Sequence, residues 1–232
     1  VRGVIDVRGE VMQVIDLRLR LGMPHLTKEI DELVEILRAR EEDHRNWIRE
    51  LEASVRERRS FTLARDPHQC KFGKWYDTYQ PTNTELVSIW SGFDQPHKRI
   101  HAIADVVTEH EKRGEFEQAL AIIDQTRATA LAVLVREFAA ATNAVLRSSR
   151  EVVVILERDA DALAITVDSA DVVETIQAAD MMDLPALLDR EGTAVISRTA
   201  RREHSDDLLL VLDTGKLFPD RVAEPEAIAL RA

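Results

Sequence analysis

Apolar residues change their spacing twice along the chain, and the changes divide it into three stretches. Over residues 1–24 they alternate in the strand manner: Val4, Val7, Val11, Val14, Ile15, Leu17, Leu19 and Leu21 are broken by Gly3, Gly9 and charged residues. Gly22-Met23-Pro24 closes the stretch, so two strands with a turn at Gly9 are predicted. Beyond Thr27, which suits a helix N-cap, Ile30, Leu37, His44 and Leu51 recur every seven positions, with Val34, Glu41, Ile48 and Val55 beside them. That predicts one long amphipathic helix to about Arg58, with His44 on its buried stripe, Trp47 on the same side, and Arg45, Arg49 and Glu52 facing away.

Asp66-Pro67 is a helix-start pair, a capping carboxylate followed by a ring that presets φ. A short helix over 71–79 is predicted, with Cys70 near its N-terminus, where the helix dipole favours a thiolate, and Pro81 beyond its end. A further short helix covers 84–90. Asp94 caps the next, on which His97, Ile100, His101, Ala104 and Val107 share a face. Gly114 terminates it, and a last helix over 115–146 carries Phe116, Leu120, Ile123, Leu134, Phe138 and Val145 as its stripe. From Glu151 the strand pattern returns at 152–156, 162–167, 172–176, 193–198 and 208–212, with Pro185, Gly192 and Gly215 at turns. The order β, α, β predicts an α+β multi-domain chain. A helical domain of four-helix-bundle type (25–149) is inserted into a β-domain made of 1–24 and 150–232.

At 232 residues, 45% of them apolar and only eight glycine and seven proline, the chain is long and ordered enough for two cores. The longest apolar run, 128–135, is far short of the roughly 20 residues of a membrane span. No signal peptide is evident, Val1-Arg2-Gly3 is not a natural translation start, and one cysteine makes no internal disulfide. The cytoplasm is therefore the expected compartment. The net charge of −11 is concentrated after residue 150, where 18 acidic residues face 8 basic ones. Such a surface repels phosphate backbones and anionic lipids, so neither nucleic acid nor membrane insertion is expected; a homodimer is compatible.

Chemistry enters with three separated pieces: His44-Arg45-Asn46-Trp47, Cys70 to Tyr76, and His97 to His101. Each alone has a plain structural reading, as packed histidines or as an H-x-x-x-H that arises by chance. Together they place three imidazoles on buried faces, where an unpaired polar group costs about 1–3 kcal/mol. Only Glu41 and Asp105 are otherwise near enough on those stripes to partner them. One Zn²⁺ held by His44, Cys70, His97 and His101 satisfies all three, and His₃Cys is a closed tetrahedral set. His68 is a competing ligand. His25, His110 and His204 have no partner pattern and are expected on the surface, and Trp47, Phe72, Trp75 and Tyr76 read as bundle core.

The combination H-x-x-W, C-x-F-G-x-W-Y and H-x-x-x-H resembles the chemoreceptor zinc-binding (CZB) domain over about residues 27–147. The resemblance implies a helical bundle with zinc on His44, Cys70, His97 and His101, and an association with zinc and oxidant sensing. The flanks resemble a CheW-like domain, the SH3-type β-barrel coupling module of bacterial chemotaxis. The similarity lies in Gly3-Val4-Ile5-Asp6-Val7-Arg8-Gly9, Val14-Ile15-Asp16-Leu17-Arg18 and the closing Leu209–Leu217 stretch. Asp6 stands where that family has Asn and Gln13 where it often has Pro, and the strands that precede Gly3 in it are missing, so a fragment with an incomplete barrel is expected. The same resemblance implies a receptor-binding role for Arg8.

A closed four-ligand set keeps no position for water, and no H-E-x-x-H is present, so catalysis is not expected. The reactive atom is the Cys70 sulfur, the expected redox-sensing group. The resulting expectation is a chemotaxis adaptor coupling a chemoreceptor cytoplasmic tip to a CheA-type histidine kinase. The alternatives are a histidine phosphotransfer bundle using His44 or His101, a zinc hydrolase, and zinc as a structural staple only.

Overall fold

The structure is a computed structural model that describes residues 2–159, 161–184, 194–202 and 208–218. The chain divides into two compact units: Thr27–Arg150, and a unit formed by Val1–Leu26 together with Glu151–Ala232.

The two-segment unit is built on strands β1 (Gly3–Val7) and β2 (Glu10–Asp16) of the first segment and β3 (Val152–Arg158) and β4 (Asp161–Val167) of the second. They form one sheet in the order β1-β2-β4-β3, in which β2 and β4 run parallel and the outer pairs antiparallel. The β1–β2 turn needs two left-handed residues, Arg8 at φ 58° and Gly9 at φ 90°, and the Asp6 carboxylate accepts from the Gly9 amide at 2.8 Å. A second sheet, β5 (Met181–Asp183), β6 (Ile196–Arg201) and β7 (Leu208–Leu212), is antiparallel. Leu163, Ile165, Val195, Leu217 and Phe218 make a buried core with Ile15, Leu17 and Leu21 packed against it.

Two expectations change here. Leu17, Leu19 and Leu21 do not continue a strand: Asp16 caps a helical turn, α1 (Leu17–Arg20), accepting from the Leu19 amide at 3.1 Å. A local side-chain bond outweighs the alternation. The 172–176 stretch is irregular, with Val173 fully exposed, because β-branched residues make a strand only where a neighbour supplies the ladder. Among the described residues the strands form two sheets and no closed barrel, with β1 and β3 at the edges of the larger. The sixth strand begins at Ile196; Thr193, Pro185, Gly192 and His204 lie outside the described residues.

The helical unit follows the 3.6-residue pattern. Helix α2 (Leu26–Glu57) buries Ile30, Val34, Leu37, His44, Trp47, Ile48, Leu51 and Val55. After an irregular segment come α3 (Lys71–Tyr76), α4 (Thr84–Trp90) and α5 (Asp94–Lys112). Asp94 is the first residue of α5 and not its cap, since a 3₁₀ turn at Ser91–Phe93 leads directly into it. Gly114 reverses the chain at φ 77°. Helices α6 (Phe116–Thr126) and α7 (Ala132–Arg147) are joined by a π-helical turn, Arg127–Leu131. The run Phe116–Arg147 is long and apolar enough, by length and composition alone, to cross a membrane, a property hidden from a search for unbroken apolar stretches. Its Ile123, Leu134 and Phe138 are buried in the bundle.

Candidate metal centre

Three elements deliver the donors. Helix α2 presents His44, α5 presents His97 and His101 one turn apart, and Cys70 stands at the N-cap of α3. The three ring centroids lie 4.8–5.9 Å from one another. One donor atom from each of His44, Cys70, His97 and His101 can be chosen so that all four lie within 4.8 Å of one another.

The hydrogen bonds determine which donors these are. His44 Nδ1 is 2.7 Å from the Arg40 carbonyl oxygen and His101 Nδ1 is 3.1 Å from that of Ala64. A carbonyl only accepts, so both Nδ1 atoms carry the proton and both Nε2 atoms keep a lone pair. Those two Nε2 atoms are buried and have no hydrogen-bond partner. His97 Nε2 lies 3.2 Å from the Cys70 sulfur, near the roughly 3.5 Å that separates ligands around a tetrahedral zinc. The donor set therefore fits Zn²⁺: two oriented lone pairs without partners, beside a third nitrogen and a sulfur.

Electrostatics agree. Burial is the main cause that pushes His44 down to about 4 and His97 down to about 2, with neighbouring imidazoles adding to it; burial also lowers His101. All three are neutral near pH 7, the form that ligates metal. Cys70 behaves differently from the dipole argument. Burial pushes its thiol up, outweighing the Gly73 and Phe72 amides that favour the thiolate. The helix N-terminus alone does not ionise this sulfur; a cation held by these four residues would supply the missing charge.

The surroundings hold this geometry. Phe72 is fully buried and sets its ring 5.5 Å from His44 and 4.9 Å from His97, backed by Phe93 and Phe138. Gly73 is demanded by close approach: a Cβ there would sit 1.9 Å from the Pro67 carbonyl oxygen. The glycine of C-x-F-G is thus the contact that seats the 67–69 turn against α3. The Ala64 carbonyl takes two bonds, from His101 Nδ1 and from Trp47 Nε1 at 2.8 Å. Residue-type patterns do not reveal it, because a backbone oxygen has no sequence signature. A cavity of about 260 Å³, lined in part by Asp43, His44, Cys70 and His101, gives the sulfur side of the site an opening.

The remaining candidates lie elsewhere. His68 is half-exposed, bonds Asp77 at 2.8 Å and is not among the four clustered donors. Glu41 pairs with Arg45 and Asp105 with Arg65, so neither serves the histidines. His25 and His110 do have partners, Asp16 at 3.2 Å and Glu115 at 2.6 Å. Trp47 and Phe72 are buried, whereas Trp75 and Tyr76 are partly exposed and stack on Tyr79 and Trp90. Arg8 is exposed at the tip of the β1–β2 hairpin, in the other unit.

No curated protein and no solved structure matches the chain, and the sheet segments give no match to a CheW-like family. Residues 44–107, which contain all four donors, match the family model of the chemoreceptor zinc-binding domain, so this part of the helical unit is similar to a zinc-binding signalling module.

Proposed function

We propose that the chain is a non-enzymatic chemotaxis adaptor. In this reading its two-segment sheet unit is a CheW-like domain that bridges a chemoreceptor tip and a CheA-type kinase. Its helical insert binds one Zn²⁺ through His44, Cys70, His97 and His101 and alters that coupling. The observation that carries the zinc half is the pair of buried, partnerless Nε2 atoms beside a thiol and a third imidazole. Support for the adaptor half is the family match over 44–107 together with the CheW-like motifs on either side of it, including exposed Arg8 for receptor contact.

Zinc, when bound, would keep the Cys70 sulfur as a thiolate despite its burial. The thiolate can then attack the terminal oxygen of a peroxide-class oxidant. The S–O bond forms as the O–O bond breaks, sulfur loses two electrons, and the other oxygen leaves as hydroxide. The sulfenic acid formed is a poorer ligand, and Cys70 is also the cap of α3, its sulfur accepting from the Gly73 amide at 3.1 Å. Oxidation would therefore loosen both the site and the start of that helix.

Phosphotransfer through His44 or His101 is disfavoured by burial, since they are 2% and 1% exposed and no phosphoryl donor reaches them. The staple reading shares the geometry and differs only in the response to oxidant. Metal analysis of purified protein is expected to give one tightly held zinc per chain, sharply reduced in Cys70→Ser. Kinase output reconstituted with receptor should respond to peroxide in wild type and not in Cys70→Ala. Absence of tight zinc removes the sensor half, and an equal response in both proteins leaves only the staple.

A further inference from the structure

A second cluster of metal-type donors lies in the two-segment unit. Asp16 stands at the end of β2, His25 just before α2, and Glu151 just before β3. One donor atom from each can be chosen so that all three lie within 4.8 Å of one another. The parallel register pairs Asp16 with Thr166, and the antiparallel one pairs Val152 with Val167. The same end of the sheet therefore brings residues 16 and 151 together although 135 positions separate them.

The polar atoms at this point are incompletely used. The Asp16 side chain is only 2% exposed. One oxygen caps α1 by accepting from the Leu19 amide, while its Oδ2 is buried and makes no hydrogen bond. His25 Nε2 lies 3.2 Å from that oxygen, an ion-pair distance without hydrogen-bond geometry. Glu151 is partly buried, and Arg2 engages one of its carboxylate oxygens. Apart from that imidazole no donor among the described residues serves the Asp16 Oδ2, and a buried carboxylate oxygen without a hydrogen bond is costly. An imidazole nitrogen and a second carboxylate beside it are what a divalent cation needs.

We propose that Asp16, His25 and Glu151 form a second divalent-cation site, distinct from the His₃Cys group and independent of its reading. The imidazole favours a borderline transition ion such as Zn²⁺ or Co²⁺ over Ca²⁺ or Mg²⁺. Three protein ligands leave positions for water, and with no thiolate the site is the weaker of the two, filled only with excess ion. Occupancy cross-links the two chain segments that build the sheet unit and stabilises their pairing by mass action.

Cobalt titration of the metal-stripped chain separates the sites, because only Cys70 can give a thiolate-to-cobalt charge-transfer band. Wild type is expected to take two equivalents, the second adding weaker ligand-field absorption without that band. His25→Ala and Glu151→Gln should each lose the second equivalent and keep the thiolate band, which also reports that the helical unit is folded. Cys70→Ser should lose the band and keep the equivalent that His25→Ala removes. If wild type binds nothing beyond the thiolate site, or the additional equivalent survives in both His25→Ala and Glu151→Gln, the proposal is wrong. Loss of the thiolate band alone would overturn the function proposed above and leave this one standing.

Discussion

Cys70 does two jobs that single substitutions can separate. As a cap its sulfur accepts the Gly73 amide; as a donor it faces His97. Serine keeps an N-cap acceptor and alanine does not. Cys70→Ser should therefore lose zinc with little change in metal-free stability, whereas Cys70→Ala should lose zinc and about 1 kcal/mol besides. Urea unfolding of both apo variants checks this. Gly73 is the other single-residue constraint. Gly73→Ala places a methyl group 1.9 Å from the Pro67 carbonyl oxygen, so α3 or the 67–69 turn must move. A loss of about 1–3 kcal/mol is expected, with weaker zinc retention against a chelator of known affinity. Zinc retention equal to wild type would show that this contact does not position Cys70.

At the scale of elements, α2 meets α5 through rings: His44 lies against His97 and His101, and Trp47 lies against His101. This arrangement makes the metal-free helical unit acid-sensitive. Each histidine titrates lower in the folded state than the ordinary 6.5, His44 at about 4. Between those values the unfolded chain binds more protons than the folded one. Stability is thus full above about 6.5 and falls as pH drops toward 4, with His44 alone contributing on the order of 3 kcal/mol. Denaturation midpoints of apo protein between pH 7 and 4 should decline. His44→Phe, which replaces the titrating ring with an apolar one, should flatten the slope, and an unchanged slope would count against buried neutral His44. Phe72, wedged against two of the rings and fully buried, should cost about 3–5 kcal/mol when truncated to alanine.

For the whole molecule, zinc and folding are linked, since the donors come from positions 44, 70, 97 and 101 and converge only in the folded bundle. Free zinc at a thousandfold above its dissociation constant should stabilise by about 4 kcal/mol. Chelation is expected to lower the thermal midpoint of the helical far-ultraviolet signal in wild type and to leave Cys70→Ser unmoved. The net charge of −11 bears on partners and not on this linkage, because it is concentrated beyond residue 150.

Much of this was legible from residue order alone. Helical periods placed α2, α4 and α5 nearly to their ends, because an amphipathic stripe is a local property written at every third or fourth position. The four donors were readable because a sole cysteine and histidines spaced along apolar stripes are polar groups that a shared metal satisfies at once. Asp16 shows the limit. Its neighbours Leu17, Leu19 and Leu21 alternate like a strand, yet one capping bond turns them into α1. Strand pairing, the two open sheets, the Ala64 carbonyl and the meeting of Asp16 with Glu151 depended on tertiary structure alone. Those features join backbone atoms or distant residues, and a linear pattern of side-chain types does not encode which partner a hydrogen bond or a ladder will find.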